Sequence, residues 1–191
     1  MKRSAFLCLA ILMCILLNAQ TYNEQYEKFL RQYKDSTFSL LEKLDKMNQY
    51  FIGSIAPDFK AVDVNGQEVD LNKLKGHFVV LNFWNTECKT CTAQIPEFNQ
   101  MIQQFATKDV SFITLSPDGE DKVKSFLKKE PFKCPTIANA NSIAFEKFKL
   151  EAIFPYFIII GQDNRILKMW FGSEGQGNLL SRVGSLVNQY Q

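Results

Sequence analysis

Apolar and polar positions repeat with different periods along this chain, and the changes of period mark out its elements. From 21 to 51, Tyr22, Tyr26, Phe29, Leu30, Tyr33, Leu40, Leu41, Leu44, Met47 and Phe51 recur at spacings of three, four and seven, the repeat of one helix face. Charges of both signs fill the other positions. The pattern predicts one long amphipathic helix over 21–51, packed on the protein's own surface, with contact to a partner as the alternative. A break follows at 53–57. Apolar and polar residues then alternate on either side of Asn65-Gly66, a dipeptide that suits a tight hairpin turn. LNKLKG, residues 71–76, reads as a short helical turn ending at Gly76.

HFVVLNFW, residues 77–84, is nearly all apolar and rich in β-formers. It predicts a strand buried on both faces, as central parallel strands are. Residues 91–107 read as a helix whose first turns Pro96 interrupts. VSFITLS, 110–116, reads as a second buried strand, and 119–129 as a helix with Val123, Phe126 and Leu127 on one face. CPTIAN, 134–139, reads as a connection and 142–150 as a short helix. YFIIIG, 156–161, is a third strand and turns through QDN into a fourth, RILKMWF. A loop over 172–177 and a helix over 179–190 follow. A parallel βαβ unit followed by an antiparallel hairpin predicts an α/β fold of three layers. Its mixed central sheet has helices on both faces, preceded by a β-hairpin and the long N-terminal helix.

Composition adds a compartment to this picture. Lys2 and Arg3 precede an apolar run from Ser4 to Leu17, and Asn18-Ala19 leads into a polar stretch. The run is short of the roughly 20 residues that span a bilayer. It predicts a signal peptide over 1–19, cleaved after Ala19, with a retained anchor as the alternative. Met13 is too large for the small residue expected before a lipidated Cys14. The expected organisation is signal peptide, amphipathic helix at 20–52 and main domain at 53–191. Export to a bacterial periplasm or cell envelope follows, with the membrane involved only through that step. Removing two of the 22 basic residues leaves 20 against 20 acidic ones. A formal net charge of zero speaks against a nucleic-acid partner, which would need a clustered basic excess.

Three cysteines remain after the signal: Cys88, Cys91 and Cys134. An odd count is not the framework of a disulfide-stapled mini-domain. Cys88 and Cys91 stand three apart, just after a buried strand and at the first turn of a helix. A helix N-terminus presents unpaired N–H groups and partial positive charge, which favour thiolate over thiol. Lowering a cysteine pKa from about 8.5 to about 7 makes it about half ionised and takes about 2 kcal/mol of stabilisation. The thiolate is the nucleophile of disulfide exchange. Cys88 is thus the expected nucleophile and Cys91, one turn on and more interior, the resolving cysteine. Zinc needs more ligands than this pair, and the single histidine, His77, lies at the far end of the preceding strand. No metal and no cofactor beyond the cysteine pair are expected, and His77 is assigned no catalytic role. A static structural disulfide is the plainer alternative, although so small a loop adds little stability. Cys134 reads as a buried, inert thiol, with a mixed disulfide to a partner or a second redox step as the alternative.

From about Gly53 onwards these residues resemble the thioredoxin superfamily, and more closely the exported TlpA/ResA-like thiol–disulfide oxidoreductases. IGSIAPDFKAVDVNGQEVDLNKLKGHFVVLNFW resembles the opening that this family shares with peroxiredoxins. ECKTCTAQIPEF resembles its active-site turn and helix, with Pro96 as the family's proline five residues after the second cysteine. AIFPYFIIIGQDNRI resembles the segment around its cis-proline. The resemblance implies a thioredoxin-like fold, redox activity at Cys88 and Cys91, and a cis-proline at Pro155. An X-Pro bond alone is cis only about 5–6% of the time. It also implies that Phe154, Pro155 and Trp84 meet the substrate.

Departures from the family pattern concern tuning. Glu87 precedes Cys88 where thioredoxins have Trp, and Lys89-Thr90 lies between the cysteines in place of Gly-Pro. Glu87 disfavours a nearby thiolate and Lys89 favours it. Asn82 stands where thioredoxin has a buried acid, and an amide cannot take the resolving cysteine's proton; Glu87 and Glu97 are candidates for that task. The expected partners are protein thiols and disulfides, such as an apocytochrome or a misoxidised envelope protein, and an upstream electron donor. The expected activity is reduction. A thiol peroxidase and a non-enzymatic binding module are the alternatives. The first lacks the Pro-x-x-x-Thr/Ser-x-x-Cys pattern before Cys88.

Overall fold

A computed structural model describes residues 21–106, 108–172 and 179–190. The expected signal peptide, and all but Gly172 of the expected loop at 172–177, lie outside the described residues.

The N-terminal segment forms two helices, α1 (Tyr22–Gln32) and α2 (Leu40–Phe51), where the apolar repeat predicted one. The cause is local. Thr21 and Ser39 each open a helix with a capping box. The Ser39 N–H donates to Glu42 Oε2 at 2.9 Å, and the Glu42 N–H donates to Ser39 Oγ at 3.4 Å. These bonds satisfy donors that every helix start leaves unpaired. Between the helices, Ser36 N and Oγ both donate to the Tyr33 carbonyl. The two helices still share one apolar surface. Tyr22 and Phe29 from α1, and Leu44, Met47 and Phe51 from α2, are buried. The Tyr22 ring stacks on Phe51 with centroids 4.0 Å apart.

Strands β1 (Lys60–Val62) and β2 (Glu68–Asp70) form a separate antiparallel pair. Its turn is held by Asp63, whose Oδ1 accepts the N–H groups of Asn65 and Gln67, each at 2.8 Å. Gly66 takes φ +83° there, a conformation that costs glycine little.

The main sheet has five strands in the order β5-β4-β3-β6-β7. They are β3 (Phe78–Phe83), β4 (Val110–Leu115), β5 (Thr136–Ile137), β6 (Tyr156–Ile160) and β7 (Ile166–Phe171). Every residue of β3 is buried. It runs parallel to β4, from Phe78 opposite Val110 to Phe83 opposite Leu115, and antiparallel to β6, with Phe83 opposite Tyr156. The edge strand β5 lies where the sequence predicts only a connection. It is two residues long, and such a stretch shows no period to read.

Strand alternation sorts the core into two layers. Val79, Leu81 and Phe83 face the layer that holds Tyr22, Phe29, Leu44, Met47 and Phe51. A π-helical turn at Ser142–Lys147 closes this layer by burying Phe148. Phe78, Val80 and Trp84 face the other layer. There they meet Ile95, Phe98 and Met101 of α4 (Ile95–Gln104), Val123 of α5 (Glu120–Leu127), and Leu179, Val183 and Val187 of α6 (Leu179–Tyr190). Glu97 on α4 fastens α6, accepting the Leu179 N–H at 3.0 Å.

The capping box gives a direct test of the split helix. Ser39→Ala should lower the urea midpoint by an amount equivalent to about 1 kcal/mol, with the slope of the transition unchanged. An unchanged midpoint would mean that the cap does not hold α2.

Candidate active site

The active-site turn grows out of the buried strand. β3 ends at Phe83, Trp84 donates its N–H to Leu115 O at 3.0 Å, and the chain turns through 85–88 into the helix α3 (Lys89–Ala93). Two bonds shape the turn: Glu87 N–H donates to Asn85 Oδ1 at 3.0 Å, and Cys88 N–H to Asn85 O at 3.3 Å. Cys88 caps α3. It is joined to Cys91 in a disulfide with Cα atoms 5.2 Å apart.

The two sulfurs occupy different surroundings. Cys88 is half-buried, whereas Cys91 is 2% exposed and sits among Trp84, Ile95 and Phe98. The Cys91 N–H points at Cys88 Sγ at 3.1 Å, and Thr90 Oγ1 lies 3.3 Å from the same sulfur. A backbone donor aimed at sulfur favours thiolate over thiol. The apolar setting of Cys91 disfavours its charged form. The accessible sulfur is therefore the better nucleophile, and the enclosed one can be reached only from within.

Pro96 has its effect at the join of two helices. It is the second residue of α4, and Gln94 alone separates α4 from α3, which ends at Ala93. Proline has no N–H and its ring crowds the carbonyl four residues back. The single helix expected over 91–107 is consequently broken in its first turns.

The Phe154–Pro155 peptide bond is cis. β6 runs antiparallel to β3, so the start of β6 lies beside the end of β3. This register brings Phe154 and Pro155 to the edge of the sheet that carries the cysteines. Phe154 is half-buried and Pro155 buried, and the Pro155 carbonyl accepts the Gly172 N–H at 2.8 Å.

Trp84 requires a correction. The resemblance implied contact with substrate, yet its side chain is 0% exposed. It packs between Phe126 and Phe132, with ring centroids 5.2 and 5.0 Å away. Alternation along β3 turns it inward with Phe78, Val80 and Asn82, and α5 and the 131–134 loop cover it. Asn82 is likewise buried, with its Oδ1 unpaired in the structure, as are Trp84 Nε1 and Gln94 Oε1. The two carboxylates considered as proton acceptors have other tasks. Glu97 caps α6, and Glu87 forms an ion pair with Lys122 at 2.8 Å. Lys89 is exposed. His77 lies at the opposite end of β3, with Nδ1 3.9 Å from Asp109.

The sequence reading missed Asp118. Its Oδ2 accepts both the Thr86 N–H and the Thr86 hydroxyl, each at 2.8 Å, and its Oδ1 accepts Lys122 Nζ at 3.1 Å. Partial burial pushes the Asp118 carboxyl up, but the bonds from Thr86 and Lys122 outweigh it and hold the group below its usual range. A carboxylate with a depressed folded pKa adds stability above its unfolded pKa, and that stability is lost as the pH falls through the folded value. The clamp on Thr86 thus holds at neutral pH and loosens in acid. One signal could have found it: β3 and β4 are parallel, so an acid just past β4 shares an edge with the turn just past β3.

The AhpC/TSA family matches residues 52–169. The chain belongs to that family. Among its curated relatives, the thiol-disulfide oxidoreductase ResA of Bacillus cereus is 28% identical over 180 residues, covering 94% of this chain and 95% of that one. ResA of Bacillus thuringiensis strain Al Hakam is 30% identical over 129 residues, covering 67% and 74%. The thioredoxin domain of a Bacteroides vulgatus thiol-disulfide oxidoreductase superposes with a TM-score of 0.63 at 23% identity, covering 72% of this chain and 98% of that one. The last shows the fold, and with it the thioredoxin-like three-layer arrangement. Within the AhpC/TSA family, the Cys88–Cys91 pair and the ResA relatives make this chain a thiol–disulfide oxidoreductase.

Cys134 stands apart from this pair. It is a free cysteine, partly exposed, and burial pushes its thiol up to about 12. It therefore carries almost no thiolate at neutral pH. After full reduction, brief iodoacetamide treatment at pH 7.5, a pH of about one unit below an ordinary thiol pKa, should label Cys88 and spare Cys134. Cys134 should react only in denaturant. Equal labelling of both in the native protein, read by peptide mass spectrometry, would contradict the burial.

Proposed function

We propose that this protein is an exported disulfide reductase that acts on protein cysteine pairs. The observation that carries the reading is the asymmetry of the pair: a half-buried Cys88 with an N–H aimed at its sulfur, and a Cys91 enclosed in the core. In the reduced enzyme the Cys88 thiolate attacks a substrate disulfide. One substrate sulfur leaves as thiolate and a mixed disulfide forms. Cys91 then gives up its proton and its sulfur attacks Cys88, which releases the second substrate sulfur. The substrate gains two electrons, the enzyme ends as the Cys88–Cys91 disulfide, and a dithiol donor restores it by the reverse exchange.

Phe154 and Pro155, at the same edge as the cysteines, are the proposed backbone contact for the substrate chain. With Asn82 and no buried acid in that layer of the strand, the Cys91 proton leaves to water or to the departing substrate thiolate. Lys2, Arg3 and the apolar run to Leu17 support export to the bacterial cell envelope. Among the described residues no helix is long and apolar enough to cross a membrane. Apocytochromes and misoxidised envelope proteins are the proposed substrates there, and the helices at 21–51 offer a further surface for a partner.

Insulin reduction tests this reading. The wild type should accelerate precipitation of the insulin B chain in the presence of dithiothreitol, and Cys88→Ser should abolish the acceleration. Cys91→Ser should instead accumulate a mixed disulfide visible on a non-reducing gel. Equal rates for wild type and Cys88→Ser would sink it. The opening at 52–84 that resembles peroxiredoxins gives thiol peroxidation as a second reading, and hydrogen peroxide consumption no faster than that of a free thiol would close it.

A further inference from the structure

Two acids flank the turn that carries Cys88, and one lysine serves both. Glu87 immediately precedes the nucleophile, and Asp118 grips Thr86 one residue earlier. Lys122 Nζ lies 2.8 Å from Glu87 Oε1 and 3.1 Å from Asp118 Oδ1. An ordinary surface ion pair adds little, because two long side chains must be ordered and water screens them. This one starts from better ground. Asp118 is largely shielded and already fixed by Thr86, and Lys122 stands one helical turn further along, in the first turn of α5. The lysine's position is thus set from the α5 side before it meets Glu87.

The remaining charges near the turn are few. Lys89 follows Cys88 but forms no ion pair with a described residue within 4 Å. The cis-proline segment from Ala152 to Ile160 contains no charged residue. Without Lys122, the exposed carboxylate of Glu87, on the residue before the attacking cysteine, would lose its ion-pair partner.

We propose that Lys122, seated by Asp118, is a positioning residue for thiol exchange: it masks the charge of Glu87 and so raises the thiolate share of Cys88 at neutral pH. The proposal rests on the reading of Cys88 as nucleophile. A bare unit charge about 7 Å away in water alters a thiol–thiolate ratio by about threefold. Salt weakens the effect, since the Debye length is about 10 Å at 0.1 M.

The test is the pH profile of Cys88 alkylation in the fully reduced chain at low ionic strength. In that reaction the thiolate displaces iodide from iodoacetamide, and peptide mapping assigns the product to Cys88. Lys122→Met should move the midpoint up by about half a unit and slow alkylation on the acid side of the midpoint about threefold. Adding Glu87→Gln to that variant should restore the wild-type profile. An unshifted profile in Lys122→Met, or a shift that survives in the double variant, would overturn the proposal. Insulin reduction by the wild type is followed in parallel and separates the two readings. An inactive wild type with a shifted Lys122→Met profile overturns the reductase and supports the lysine's role; an active wild type with no shift does the reverse.

Discussion

The burial of β3 on both faces is the constraint on which the rest of the molecule depends. Phe78 to Phe83 has β4 on one side and β6 on the other, and a helical layer over each face. A strand so enclosed has little freedom of register, because a slip by one residue would exchange its two apolar sets. Its end is therefore a fixed point. The cysteine turn leaves from it, the start of antiparallel β6 lies beside it, and the end of parallel β4 lies on its other side. Three segments far apart in sequence meet because one strand leaves them nowhere else to go.

Much of this was legible in the residues. Near-continuous apolar runs gave the long strands, and Asn65-Gly66 gave the hairpin. The position of Cys88 after HFVVLNFW marks a thiol at a helix start. The failures have physical causes. The apolar stripe over 21–51 continues across two helices, so periodicity alone joins them; the capping box of Ser39 and Glu42 divides them. Strand β5 is too short to have a pattern. Trp84 is turned inward by the parity of its strand, a fact that family likeness does not carry. Asp118 and Lys122 lie about thirty residues beyond Glu87, and only the parallel pairing of β3 with β4 brings them together.

The electrostatics of the site follow from the same geometry. Sequence sets Glu87 against Lys89 because they flank one cysteine. The fold sets Glu87 against Lys122, because α5 begins where β4 ends. The local charge around the nucleophile is thus decided by packing between separate elements, and the disulfide pair itself supplies only the chemistry.

The N-terminal helices carry a consequence for where this protein begins as a folding unit. The family match starts at residue 52, which invites a cut there. Yet Tyr22, Phe29, Leu44, Met47 and Phe51 belong to the same core layer as Val79, Leu81 and Phe83. Burying an apolar side chain is worth about 1.5–3 kcal/mol, so five of them represent roughly 10 kcal/mol, comparable with the whole stability of an ordinary domain. A chain cut at residue 52 would open part of that core layer to water. The family match draws the border at residue 52, but cohesion draws it thirty residues earlier.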